Sequence, residues 1–124
     1  MKKLFLFTSI IVVLGLSISA FAQVQIESGT WGINASHQNY TLDKNQGNRD
    51  VTVEVTFDVP FDEKPDVIIG VTMLDANSEK NIRYKVTSLS VSRDGFTIKV
   101  ATWAETKIFG ISGYWMAYAK KTME

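Results

Sequence analysis

The chain has 124 residues, with 13 basic and 13 acidic side chains, one histidine, no cysteine and 45% hydrophobic residues. The missing cysteines exclude thiol chemistry, disulfides and a structural zinc site, and His37 alone cannot build a His-based triad or a His metal cluster. The even charge balance argues against nucleic acid as a partner.

Residues 1–22 read as a secretory signal peptide. Lys2 and Lys3 form a charged start, Leu4 to Ser19 an apolar run, and Ala20-Phe21-Ala22 a small-x-small cleavage site. The mature chain is expected to be one domain, residues 23–124, exported to the extracellular space or, in a bacterium, the periplasm. Taking Lys2 and Lys3 from the 13 basic residues leaves 11 against 13 acidic ones, so this domain carries about −2. No later run is apolar enough to span a bilayer, so membrane insertion of the mature chain is not expected. The remaining 102 residues suffice to bury a core without disulfides.

Val24 and Ile26 alternate with polar residues up to Ser28-Gly29, which predicts a short first strand ending in a turn. Trp31 to Asn48 is polar and rich in Gly and Asn, and reads as long loop. Val51 to Phe57 is the clearest strand, with Val51, Val53, Val55 and Phe57 inside and Thr52, Glu54 and Thr56 outside. Burying those four apolar side chains is worth roughly 6–12 kcal/mol before chain entropy opposes it. Pro60 and Pro65 bound a turn-rich connection, since neither can lie in mid-sheet.

Val67 to Leu74 is apolar in both strand phases, and so is much of Ile108 to Tyr118. Strands buried on both faces need cover on both sides. With no helix evident in the mature chain, a second subunit is the simplest cover. The fold class expected is therefore all-β, an antiparallel β-sandwich that oligomerises.

Between these segments, Ile82, Tyr84 and Val86 share one phase, while Arg83 and Lys85 share the other. Farther on, Phe96, Ile98 and Val100 take the core phase, which leaves Trp103 outside with Thr97 and Lys99. Ser92-Arg93-Asp94-Gly95 reads as a three-residue hairpin loop closed by a left-handed glycine. That register sets Lys85 opposite Trp103 and Arg83 opposite Glu105, making Arg83 and Trp103 diagonal neighbours at about 7–8 Å. An exposed indole beside a guanidinium suits a sugar: the pyranose C–H face stacks on the ring while charge-assisted donors take its hydroxyls.

The chain resembles the H-type lectin domain family, which includes N-acetylgalactosamine-binding agglutinins and the C-terminal domain of discoidins. The resemblance is carried by Ile26-Glu27-Ser28-Gly29, Asn48-Arg49-Asp50, Val55-Thr56-Phe57 before Pro60-Phe61, and Pro65-Asp66-Val67. It continues through Leu74-Asp75, Asn81-Ile82-Arg83, Ser90-Val91-Ser92 with Gly95-Phe96, Thr102-Trp103 with Thr106-Lys107, and Trp115. It implies a six-stranded antiparallel sandwich that forms homo-trimers or, by stacking, hexamers. Cell-surface glycans or glycoproteins of the N-acetylgalactosamine or galactose type would bind in clefts between subunits and serve adhesion or recognition. The carbohydrate-binding residues implied are Asp50, Arg83 and Trp103, with Asn48 standing where a glycine is usual. Two positions depart from the pattern: Ala104 replaces a frequent histidine, and Phe109 replaces a contacting tyrosine. At about 1–1.5 kcal/mol per lost hydrogen bond, those changes lower affinity for the usual sugar by one to two orders of magnitude or redirect preference. The competing reading is a protein-interaction or structural module that keeps the sandwich and has lost sugar binding.

No enzyme activity, cofactor or metal is expected. Glu54 and Glu105 are outward strand carboxylates of the kind that is usually only solvated. Asp43 to Asp50 superficially resembles a calcium loop, but the glycine is one place early and no bidentate glutamate follows.

Overall fold

The computed structural model describes residues 23–44 and 46–122. The expected signal peptide, residues 1–22, lies outside the described residues. Six strands form: β1 (Gln23–Asn34), β2 (Arg49–Thr56), β3 (Asp66–Ala76), β4 (Tyr84–Leu89), β5 (Gly95–Thr102) and β6 (Ile108–Lys121). Every pairing is antiparallel. One sheet has the order β1-β6-β3 and the other β2-β5-β4, so the chain is the all-β, six-stranded sandwich expected. Among the described residues no helix is long and apolar enough to cross a membrane.

The core lies between the two sheets. From one side come Trp31, Ile111, Trp115 and Ala117, and from the other Val51, Phe96, Ile98 and Val100. The connections add Tyr40, Leu42, Phe57 and Phe61, all at or below 4% exposure. Phe57 meets Phe61 edge-on with ring centroids 4.8 Å apart and also touches Phe96 and Trp115, so a four-ring cluster closes one end of the sandwich. The β2 alternation is as expected: Val51 and Phe57 are buried, Val53 and Val55 half-buried, and Thr52, Glu54 and Thr56 exposed.

Two sequence expectations are corrected. The first strand does not stop at Ser28-Gly29 but runs on to Asn34, taking Trp31 into the core, where its Nε1 donates to the Tyr114 carbonyl at 3.2 Å. Gly29 marks close packing and not a turn: a methyl there would stand 2.8 Å from Nε1 of Trp115. The second correction concerns the hairpin. Gly95 does not close a tight turn in the left-handed region; it opens β5, paired with Thr56. A side chain at this position would overlap the Val55 carbonyl, so only glycine lets the two strands approach. The reversal is instead made across residues 90–94, with Ser90 at φ 53° and the Ser92 N–H donating to Gly95 O at 2.9 Å.

As a result the β4–β5 register differs by two residues from the expected one. Lys85 faces Ala101 and not Trp103, and the ladder ends at Tyr84–Thr102. A shift of two preserves which face each side chain takes. Arg83 and Trp103, the first residues beyond that last pair, are thus set across from one another and not diagonally.

On β6, Ala76 pairs with Ile108 and Asp75 with Gly110, so Phe109 is an extra residue in a bulge. The bulge lets Ile108 and Ile111, three positions apart, both point inward at 0% exposure while Phe109 is 40% exposed. The outer face of β1-β6-β3 stays apolar and uncovered in one chain, with Val24, Ile26, Ile68, Met73, Tyr114 and Tyr118 between 37% and 60% exposed.

Candidate functional site

The outer face of β2-β5-β4 carries the candidate residues. Asp50 pairs with Ala101, which pairs in turn with Lys85, forming one row across this sheet. Trp103 and Arg83 begin the next row. At ordinary strand spacing, Asp50 is about 8 Å from Trp103 and about 12 Å from Arg83 at the backbone. Trp103 is 39% exposed, as strand alternation requires. Phe109 belongs to the other sheet, and Asn48 is exposed in the loop entering β2. The structure therefore groups Asp50, Arg83 and Trp103 on one face and carries Phe109 on a different sheet.

Arg83 is held from both ends. Its N–H donates to the Thr106 hydroxyl at 3.0 Å, while the Thr102 hydroxyl donates to its carbonyl. The Thr106 hydroxyl in turn donates to Asn81 O at 2.6 Å. Both threonines are buried, at 1% and 0%, so the backbone around Arg83 is fixed by hydroxyls that water does not reach. The guanidinium Nη1 lies 3.0 Å from Glu105 Oε1, which also accepts from Asn81 Nδ2 at 3.0 Å. The expected meeting of Arg83 and Glu105 thus occurs through side chains and not through a strand pair. Backbone N–H donation, followed by Arg83 and Asn81, holds the Glu105 carboxyl below its ordinary value, so it is the ionised partner that holds the Arg83 guanidinium. Glu54 is engaged separately, accepting from the Thr97 hydroxyl at 2.9 Å.

Sequence reasoning missed Arg49. It is 8% exposed and donates four hydrogen bonds to carbonyls: Gly47 at 3.0 Å, Leu42 at 3.3 Å, Lys44 at 3.0 Å and Ala104 at 2.9 Å. The Gly47 N–H donates to the same Ala104 carbonyl at 3.0 Å. Ala104 has φ 57°, a left-handed conformation that turns the chain sharply after Trp103. Arg49 therefore joins the loop that bears Asn48 to the turn that presents Trp103. A signal was available, because Arg49 shares the inward phase of Val51, Val53 and Val55.

Asp50 is open to solvent on one side, with Lys99 Nζ 4.0 Å from its Oδ2, and lines a cleft of about 300 Å³ with Ile33, Gln38, Asn39, Val51 and Thr52. Among the described residues no cluster of three or more metal-ligating side chains occurs.

The family model for the H-type lectin domain matches residues 52–118. Arg83, Trp103 and Phe109 fall inside that span; Asn48 and Asp50 precede it. A Fuscovulum blasticum protein described as "ATP synthase subunits region ORF 7" is 32% identical over 71 residues, covering 57% of this chain and 62% of its own length. Among solved structures, recombinant discoidin II of Dictyostelium discoideum superposes with a TM-score of 0.72 at 21% identity, over 83% of this chain and 40% of that one. Wild-type discoidin II gives 0.70 at 22% identity, over 78% and 37%. At such identities the likeness speaks for the fold, and the chain spans less than two thirds of each of these proteins. The family match covers more than half of the sequence, from within β2 to within β6, and the chain belongs to the H-type lectin domain family.

Proposed function

We propose that this protein is an exported, non-catalytic lectin that binds terminal N-acetylgalactosamine- or galactose-type glycans at sites completed between subunits of a homo-trimer, or of a hexamer of stacked trimers. The observation that carries this reading is the outward Trp103, 39% exposed, at the same end of the β4–β5 pair as Arg83, which Glu105 holds, within a chain of the lectin family. Trp103 supplies a stacking surface, Arg83 a hydroxyl donor already held by Glu105, and Asp50 an acceptor. Asn48 borders the acceptor, and Phe109 extends the apolar contact.

The family resemblance is what supports a cleft in which Asp50 of one subunit faces Arg83 and Trp103 of its neighbour. The uncovered apolar face of β1-β6-β3 supports assembly, since exposed patches of this kind mark interfaces. Several weak sites in one oligomer would then raise avidity on a glycan-coated surface, as adhesion requires.

The test is a glycan array probed with the purified protein. Selective binding that disappears in Arg83→Ala and Trp103→Ala, with the oligomer intact, is the expected result. A blank array from a folded oligomer favours the second reading, a protein-interaction module. That reading draws on Ala104 and Phe109 at usually polar positions and on the engagement of Arg83 by Glu105. On it, Trp103→Ala breaks the oligomer on a sizing column. N-terminal sequencing of the exported protein, expected to start at Gln23, checks the signal peptide.

A further inference from the structure

We infer that the cleft beside Asp50 is a subsite for a second, neutral sugar unit, so that the protein recognises a glycan of at least two residues. The inference rests on the lectin reading and extends it to residues outside the family match. The cleft holds about 300 Å³, the lower end of small-ligand sites and enough for one ring. Its wall is the turn of residues 34–40, which is tied to itself and to the body of the fold. Asn34 Oδ1 accepts from the Ser36 N–H at 2.9 Å, the His37 N–H donates to Asn34 O at 3.0 Å, and the Tyr40 hydroxyl donates to Ile108 O at 2.6 Å. Thr41 Oγ1 donates to Asp50 O at 3.3 Å, fixing the wall to the strand that carries the aspartate.

This turn uses Asn34, Ser36 and His37 for its own bonds and leaves the amides of Gln38 and Asn39 over the cleft with no partner among the described residues. Asn39 stands at φ 66°, a conformation sparsely used by non-glycine residues that persists where the surroundings impose it. The lining chemistry matches a polyol. Two amides both donate and accept, the Thr52 hydroxyl does the same, Asp50 accepts, and Ile33 and Val51 provide an apolar floor. Among the described residues no basic side chain lines the cleft, and the nearby Lys99 is already engaged by Asp50 at 4.0 Å, so no free cation is left to hold an acidic sugar and a neutral ring is favoured over a sialylated or uronic one.

The test is calorimetric titration of the full protein with methyl N-acetylgalactosaminide and with a panel of neutral disaccharides that contain N-acetylgalactosamine at either end. At least one disaccharide is expected to bind about tenfold more tightly than the monosaccharide, the equivalent of two ordinary hydrogen bonds. The Gln38→Ala/Asn39→Gly double variant, in which glycine keeps the left-handed backbone, is expected to bring that ratio to within about twofold and leave monosaccharide affinity unchanged. Equal affinity for mono- and disaccharides in the wild type, or a ratio that survives the double variant, overturns the subsite alone. No sugar binding by the wild type overturns the subsite together with the lectin reading beneath it.

Discussion

Replacing Arg49 by methionine keeps the length of the buried stem and removes four hydrogen bonds to carbonyl oxygens. The loss can be apportioned. Leu42 O keeps the Ile108 N–H at 2.9 Å and Ala104 O keeps the Gly47 N–H at 3.0 Å, so neither is orphaned. The Lys44 and Gly47 residues are exposed, which lets their carbonyls take water. Each bond is then worth about 0.5–1 kcal/mol, and relief of guanidinium desolvation offsets part of the sum, for a net cost of about 2–3 kcal/mol. In a domain of this size that lowers Tm by roughly 8–20 °C. Urea unfolding followed by tryptophan fluorescence reads it directly, with an unchanged denaturant slope as the check that the end states are comparable. Arg49→Lys should recover less than half, because a point charge cannot reach four carbonyls that a planar fork spans. Arg49→Met within about 0.5 kcal/mol of wild type would refute the claim that this side chain braces the Trp103 turn.

Glu105→Gln tests the carboxylate that holds Arg83. Because the folded-state pKa is depressed, the stabilisation is present above the ordinary value of 4.5 and is lost as pH falls through the depressed one, so wild type and variant should converge in acid. A gap that persists unchanged at low pH would refute the charge pairing. Burial first, and then the Asp43 and Asp75 carboxylates, push the Tyr40 phenol up to about 12. Its contribution is complete below pH 10 and is lost as pH rises towards 12, whereas Tyr40→Phe should cost about 1–3 kcal/mol at neutral pH by leaving Ile108 O unpaired. An alkaline stability profile identical in the two proteins argues against it. Gly113→Ala should prevent folding or cost more than about 3 kcal/mol, since its methyl would overlap the Gly70 carbonyl in the centre of the sheet; normal expression and an unchanged melting curve are the contrary result.

The strands of this protein are legible from period-two alternation wherever one face is wet. Val51 to Phe57 reads correctly for that reason, and the same alternation puts Trp103 outside. Glycine is where the reading fails. Gly29 and Gly95 look like punctuation, yet each sits within a strand because a neighbouring ring or carbonyl occupies the space of a side chain. Proximity of that kind is a tertiary fact, invisible to local pattern. The surroundings of the candidate residues are half legible: alternation puts Arg83 and Trp103 on the outer face, but the threonine clamps and the bracing by Arg49 depend on tertiary contacts that the pattern does not show. Thr102 shares the inward phase of Ile98 and Val100 just as Arg49 shares that of Val51, and polar side chains in a core phase mark residues with bonds to make.

The bulge at Phe109 fixes the handedness of everything downstream in β6. Upstream, even-numbered Ile108 points inward; downstream, odd-numbered Ile111, Trp115, Ala117 and Ala119 do, and the one unpaired residue performs the change of parity. Deleting it would leave Ile108 and Ile111 two positions apart, which a regular strand already turns to the same face, so Trp115 would stay inside and only the local bend would be lost. An even spacing between the two isoleucines would need no bulge; the odd spacing present here is what requires one.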